Sequence, residues 1–170
     1  MLVSDNNQKD NQLAKFISNN RDKKIMIFTE TKKEAREFEY KKYCHFIPLH
    51  GDLSQNQRQY VLQKYRRPNC RAILVATDVA ARGLDIDNID VIIHYSVRNV
   101  DAFVHRTGRT GRAGKQGLNI VFAERDTVDF LKQLEDNLNI KLNYLNDIGS
   151  SITDDSTTMD GESDQVELNK

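Results

Sequence analysis

The sequence predicts an α/β fold, in which helices flank a mostly parallel central sheet. Short apolar runs rich in β-branched residues recur along the chain, and their near-continuous apolar character is typical of strands buried on both faces. Amphipathic segments with helix start signals alternate with these runs, which favours a parallel sheet. The chain has 170 residues and is 38% hydrophobic, enough for one core.

Five strands follow from these runs, and each is four or five residues long. They are Ile25–Phe28, Phe46–Leu49, Ala72–Ala76, Val91–His94 and Leu118–Phe122. Ligands of parallel sheets bind at the carboxyl ends of the strands, so the segments after these strands are where a functional site is expected.

Two helices have a capping-box sequence at their start, in which a hydroxyl residue is followed three positions later by Glu or Gln. Thr31 to Glu34 begins a helix that we expect to reach Tyr43, and Ser54 to Gln57 begins one that we expect to reach Tyr65. Three further helices are predicted from apolar spacing. They are one through Leu13, Phe16 and Ile17, a short one over Val100–Arg106, and a last one over Arg125–Leu138.

Charge and composition divide the chain into three parts. Residues 1–11 are polar and are predicted to be a flexible lead-in, 12–148 form the domain, and 149–170 form an acidic, disordered tail. Asn146–Lys170 holds seven acids and one base, a net charge of −6, so Met1–Leu145 carries +6. A basic body with an acidic tail fits a polyanion-binding protein, and an ordinary solvated surface explains the charge equally well.

Composition excludes several other classes of protein. Cys44 and Cys70 are far apart and are expected to be reduced thiols, and the four histidines lack ligand spacing, so no metal site is predicted. No segment approaches the roughly 18 apolar residues of a membrane span, and the start lacks a signal-peptide pattern. We therefore expect an intracellular protein of the cytoplasm or nucleus with no membrane partner.

The segment from His105 to Gly114 carries the strongest chemical signal. Arginines and glycines each recur there at every third position. A guanidinium is a permanent cation whose donors match phosphate oxygens, and glycine lets the backbone approach a ligand closely. Two such arginines can reach one phosphate group. The alternative is a flexible Arg/Gly segment that binds RNA without order, but apolar residues lead straight into it, which favours a packed helix end.

Two more segments follow predicted strands. In Ala76–Ile86, Thr77 could bind a phosphate at a helix start and Asp85 a ribose hydroxyl, although a helix cap and a surface acid explain them as well. In His50–Arg58, Arg58 could pair with a backbone phosphate, although a turn before a capped helix is the simpler explanation.

Together these segments resemble the second-domain motifs of DEAD-box RNA helicases. Ile25–Thr31 resembles motif IV, and His50-Gly51-Asp52 with Gln55 and Arg58 resembles the motif that follows it. Ala76–Ile86 matches motif V and His105–Gly114 matches motif VI. The resemblance covers about residues 24–122. The stretch from Thr29 to Ala35 also looks like the nucleolar Gu-type branch, which adds the nucleolus to the expected locations.

The resemblance implies a RecA-like three-layer sandwich and a set of site residues. Arg109 and Arg112 correspond to arginine fingers on the ATP γ-phosphate, and Asp85, with Gly83 beside it, to an ATP ribose contact. The residues implied in RNA binding are Gly51, Asp52, Arg58, Thr77, Arg82 and Thr31, with Arg82 linking the RNA and nucleotide sites. His105 and Arg106 correspond to contacts between the two domains of the helicase.

The sequence also departs from the family pattern. Tyr95-Ser96-Val97-Arg98 stands where the family has Tyr-Asp-x-Pro, which affects local RNA contacts or inter-domain geometry. The phosphate loop and Asp-Glu-Ala-Asp box are absent, so we expect ATP with Mg²⁺ to be held mainly by an N-terminal RecA-like domain of the same protein.

This chain would then be inactive alone and monomeric, with RNA as a partner recognised through its backbone. The alternatives are a stand-alone RNA-binding or partner-docking module without ATPase activity, and a neighbouring helicase family that acts on DNA.

Overall fold

A computed structural model describes residues 6–67, 70–84, 86, 88–111, 116–123, 127–144 and 165–169. Five parallel strands form the centre of one sheet, in the order β2-β3-β1-β4-β5. Their bounds are β1 Ile25–Thr29, β2 Phe46–Leu49, β3 Ile73–Thr77, β4 Val91–His94 and β5 Leu118–Phe122. All five predicted strands are confirmed, with each end within one residue of its predicted position.

Two further strands, β6 (Asn143–Tyr144) and β7 (Gln165–Asn169), extend the sheet beyond β5. Strand β7 runs antiparallel to both β5 and β6. It lies in the tail that we predicted to be disordered, so the structure differs from that expectation over 165–169. Apolar Val166 and Leu168 alternate with polar residues there, which is typical of a strand, but the prediction rested on the acidic composition of the whole tail. Residues 145–164 lie outside the described part of the chain.

Helices cover both faces of the sheet. They are α1 Asn6–Asn19, α2 Lys32–Glu37, a 3-10 helix Phe38–Tyr40, α3 Gln55–Tyr65, α4 Asp78–Ala81, α5 Val100–Thr107 and α6 Val128–Leu138. Helix α1 begins within the predicted lead-in of residues 1–11, because its buried Leu13 and Phe16 anchor it to the core. One face of the sheet packs on α1 and α2, and the other on α3 and α4.

Both predicted capping boxes are present. The Thr31 and Ser54 side chains accept hydrogen bonds from backbone amides three residues later, and the Glu34 and Gln57 side chains close each box. Helix α2, however, ends at Glu37 instead of reaching Tyr43. The buried Phe38 ring packs edge-to-face on two other rings of the core, which draws the chain into a tighter 3-10 turn.

Candidate functional site

A cleft of about 380 Å³ opens at the carboxyl edge of the sheet. It lies where β1, β3 and β4 end and where α4 and α5 begin. Its lining residues with ionisable side chains are Asp78, Arg82, Asp101, His105, Arg106 and Arg109. The sequence predicted a site at this edge, and the structure brings the segments after β3 and β4 together there.

The cleft is organised around the buried Arg106 side chain, which is 1% exposed. Its Nε and Nη2 atoms donate to the two carboxylate oxygens of Asp78, each at 2.7 Å. Its Nη1 donates to the Ser96 carbonyl at 2.7 Å, and the guanidinium carbon lies 5.2 Å from the centre of the Phe28 ring. A bidentate pair of this kind fixes distance and angle together. Arg106 therefore locks α5 onto α4 and β1.

The inter-domain contact that we predicted for Arg106 stays a prediction, because the structure describes one domain. The side chain points into the domain, because α5 continues to Thr107 and places Arg106 on its buried face. His105, by contrast, is exposed and lines the cleft, and its inter-domain contact also stays a prediction. The structure thus separates two adjacent residues that the sequence treated alike.

Ser96 connects this anchor to the loop after β1. Its hydroxyl accepts from the Glu30 amide at 2.8 Å and donates to the Glu34 carboxylate at 3.0 Å. The same carboxylate oxygen accepts from the Thr31 amide at 3.0 Å. A hydrogen-bonded path therefore runs from Thr31 through Ser96 to Arg106. Serine fits at position 96 because its hydroxyl donates to Glu34, whereas an aspartate there would place two carboxylates side by side.

Two of the predicted cationic side chains face the cleft. Arg82 is exposed, and Arg109 is partly exposed and donates through Nη1 to the Leu84 carbonyl at 2.8 Å. Arg112 and Asp85, predicted as the second finger and the ribose contact, lie outside the described residues.

The backbone of the two motif loops is shaped by glycine and threonine. Gly83 has φ of +70° and Gly111 of +69°, in the left-handed region that glycine adopts without strain. The Thr110 hydroxyl donates to the Ile89 carbonyl and so ties the second loop to the first. A Cβ atom on Gly117 would lie 2.5 Å from the Gly111 backbone nitrogen, so this position requires glycine.

The loop after β2 is held from both sides. Arg58 donates to the Gly51 carbonyl at 3.1 Å and to the Leu53 carbonyl at 3.2 Å. Asp52 accepts from Lys32 at 3.0 Å and is ion-paired with Arg36, and these cations lower the pKa of its carboxyl. Gly51 is exposed, with no atom within 4 Å of the position a Cβ would take. The loop therefore presents open backbone beside basic side chains.

The two predicted threonines have different surroundings. Thr31 is exposed at the start of α2, where its hydroxyl is part of the capping box. Thr77 is the last residue of β3 and precedes α4, and its buried side chain makes no capping hydrogen bond to that helix. Side-chain capping of α4, the structural alternative for Thr77, is therefore not observed.

His94 is a buried titratable group beneath the cleft. Its ring stacks on Phe103 with centres 4.5 Å apart, and its Nε2 lies 3.5 Å from the Asn119 side-chain oxygen. Burial, with a smaller contribution from Arg106, holds the pKa of His94 well below its usual value. No described group of three acids, histidines or cysteines could hold a metal ion.

Sequence reasoning missed Asp78 and Ser96 as parts of the site. Asp78 directly follows Thr77 after a buried strand, a position from which a carboxylate can reach the carboxyl edge. Ser96 is one of the two residues, with Arg98, that depart from the family pattern. The position of each residue in the sequence was unusual, but its hydrogen-bond partner Arg106 could be identified only from the fold.

The fold and the cleft define a RecA-like α/β domain with a basic site at the carboxyl edge of its sheet. Residues 8–114 match the helicase conserved C-terminal domain. The chain belongs to this family and is a C-terminal domain of the DEAD-box type. Nothing distinguishes the nucleolar Gu-type branch within it.

Relatives and solved structures agree with this placement. The chain is 46% identical over 125 residues to "DEAD-box ATP-dependent RNA helicase 9, mitochondrial" of Arabidopsis thaliana, covering 72% of this chain and 20% of that protein. A DEAD box protein from Methanococcus jannaschii superposes with a TM-score of 0.71 at 31% identity, over 82% of this chain and 39% of that one. Domain 2 of Mss116p, solved with an RNA duplex, gives 0.64 at 30% identity, over 79% and 55%.

The chain spans only about a fifth to a quarter of the length of the first curated relatives it matches. None of its described helices has the length and apolar character needed to cross a membrane.

Proposed function

We propose that this chain is the second RecA-like domain of an ATP-dependent RNA helicase. In this proposal it supplies arginine fingers to ATP hydrolysis and half of an RNA-binding surface for local duplex unwinding or RNP remodelling. The observation that carries it is the cleft geometry, in which Arg106 is fully engaged inside the domain while Arg109 faces the opening. Relatives named as ATP-dependent RNA helicases support the class of activity.

Arg109 and Arg112 are the proposed arginine fingers. Phosphoryl transfer spreads negative charge over the transferred group, and a guanidinium positioned beside it offsets that charge. Arg109 is two residues beyond the end of α5, so the Arg106 anchor fixes the base from which it extends. Asp85, next to the turn at Gly83, is proposed to contact the ribose.

RNA would be held by the other residues of the carboxyl edge. The exposed Arg82 and the open backbone at Gly51 offer donors to phosphates and 2′-hydroxyls, and Arg58 shapes the loop that presents Gly51. The proposed RNA surface also includes Asp52, Thr77 and Thr31. RNA bound in this way is read through its backbone, so little sequence preference is expected.

A separate N-terminal RecA-like domain completes the proposed enzyme. ATP supplies the phosphoryl group, and cations such as Arg82 and Arg109 fit its phosphates. Among the described residues the Asp78 carboxylate is engaged by Arg106, so Mg²⁺ would be held mainly by that other domain. This chain alone is then inactive. A nuclear or nucleolar location stays a prediction, since relatives include a mitochondrial protein and rRNA helicases.

The test is RNA-stimulated ATP hydrolysis by the longest protein that contains this chain. Replacing Arg109 or Arg112 by Ala should lower kcat on the order of a thousandfold, by analogy with other arginine fingers. The matched control is Lys132→Ala, an exposed cation on α6 that does not line the cleft, which should leave kcat unchanged. Unchanged hydrolysis in both arginine variants would remove the finger assignment.

A further inference from the structure

Basic charge is concentrated at the amino edge of the sheet, opposite the cleft. Three loops lead into β1, β2 and β3, and they comprise residues 20–24, 41–45 and 66–72. Together they hold eight basic residues and one acid, a net charge of +7. The other residues of 1–145 hold 16 bases and 17 acids, a net of −1. The positive excess of the domain therefore lies entirely in these three loops.

The fold places the three loops side by side. Strands β2, β3 and β1 are consecutive in the sheet and parallel, so their amino ends share one edge at a spacing of about 4.8 Å per strand. The loop before β2 is hydrogen-bonded to the start of β3, where the Ile73 amide donates to the His45 carbonyl at 2.9 Å. The Lys24 ammonium of the third lies 5.0 Å from the centre of the Tyr65 ring. The described residues of the three loops thus lie side by side at this edge of the sheet.

The exposed cations of these loops form what we call the amino-edge basic surface: Arg21, Lys23, Lys42, Arg66, Arg67 and Arg71. Lys23 has the adjacent Asp22 carboxylate at 3.5 Å. Within the part of the chain that the structure describes, no carboxylate lies within ion-pair distance of Arg21, Lys42, Arg67 or Arg71. Positive charge on four neighbouring exposed side chains that no described carboxylate pairs attracts a polyanion.

Exposed aromatic rings lie beside this charge. Tyr40, which is 79% exposed, precedes the loop that carries Lys42, and Tyr43, which is 41% exposed, lies within that loop. Unpaired bases stack on such rings while cations contact the phosphates between them. Mixed cations and aromatic rings therefore favour single-stranded RNA over an acidic protein, which has negative charge but no bases to stack.

We propose that the amino-edge basic surface binds a second segment of RNA, outside the cleft. The choice of RNA as the polyanion rests on the proposed function. A five-residue strand is about 17 Å long, so the two RNA surfaces lie at least that far apart. An RNA that contacts both must be long or folded. The surface would hold a helicase near its substrate without taking part in hydrolysis.

The test measures binding of a 30-nucleotide single-stranded RNA by the 170-residue chain across a salt series. The variant is R67Q/R71Q, and the matched control is K132Q/K141Q, which removes the same charge from exposed positions outside the surface. The first should bind about tenfold more weakly at low salt, with a salt slope smaller by about 1.4, since each lost phosphate contact contributes about 0.7. The control should stay within about twofold of the parent. Unfolding curves check that both variants are folded.

Equal affinities of the two variants would overturn the proposal, as would a parent chain that binds no RNA at low salt. Loss of binding to poly-glutamate in R67Q/R71Q, with RNA binding intact, would also overturn it and indicate an acidic protein partner. None of these outcomes touches the arginine fingers, which are judged by hydrolysis in the longer protein.

Discussion

Two groups of ion-paired side chains lie at the carboxyl edge of the sheet, and they differ in how far water reaches them. In the cleft, the Arg106 side chain is 1% exposed and its partner Asp78 is 31% exposed. In the loop after β2, the Asp52, Lys32 and Arg36 side chains are all at least a third exposed. A buried ion pair cannot lose one member cheaply, whereas an exposed pair is screened and weak. Folding therefore fixes the cleft anchor, while ligands can rearrange the loop cluster.

The largest effect is expected from removing the buried cation. Arg106→Ala leaves Asp78 without its bidentate partner and should lower the free energy of unfolding by about 3 kcal/mol, at the lower end for buried pairs because Asp78 keeps some water. Urea unfolding of the 170-residue chain measures this. Arg36→Ala, which breaks an exposed ion pair, is the matched control and should have a much smaller effect. Equal losses would contradict the comparison.

A smaller effect on stability is expected from the buried His94 side chain, which lies near Arg106. Burial lowers the pKa of His94 in the folded chain, so below about pH 6.5 the unfolded chain takes up a proton that the folded chain does not. Stability should fall with acid by about 1.4 kcal/mol for each pH unit below that value. His94→Gln should remove this part of the slope. His45→Gln, at an exposed position, should keep it, and an identical slope in all three proteins would contradict the assignment.

The smallest effect is expected in the exposed cluster. Asp52→Asn should leave the urea midpoint within the scatter of replicate measurements, because water and salt already screen its ion pairs. A clear loss of stability that disappears at high salt would show that the loop cluster contributes more than its exposure suggests.

The five central strands were predictable because buried parallel strands have long apolar, β-branched runs, and the two capping boxes because their signal is local. The resemblance gave Arg106 a different role from Arg109 and Arg112, but the sequence did not indicate which of these arginines is buried. They recur at equal spacing, and only the end of α5 at Thr107 decides that Arg106 points inward. Strands β6 and β7 were not predicted, because β6 has only two residues and β7 pairs with strands that are distant in the sequence.

The central claim is that this domain is half of an ATP-driven RNA motor. It is tested most directly by comparing RNA-stimulated ATP hydrolysis of the 170-residue chain with that of the longest protein that contains it. We predict hydrolysis only in the longer protein, because the cleft offers cations to ATP, whereas the described residues include neither a phosphate loop nor a group of three possible metal ligands. Hydrolysis by the 170-residue chain itself would contradict the account, and its absence from both would favour a stand-alone RNA-binding or partner-docking module.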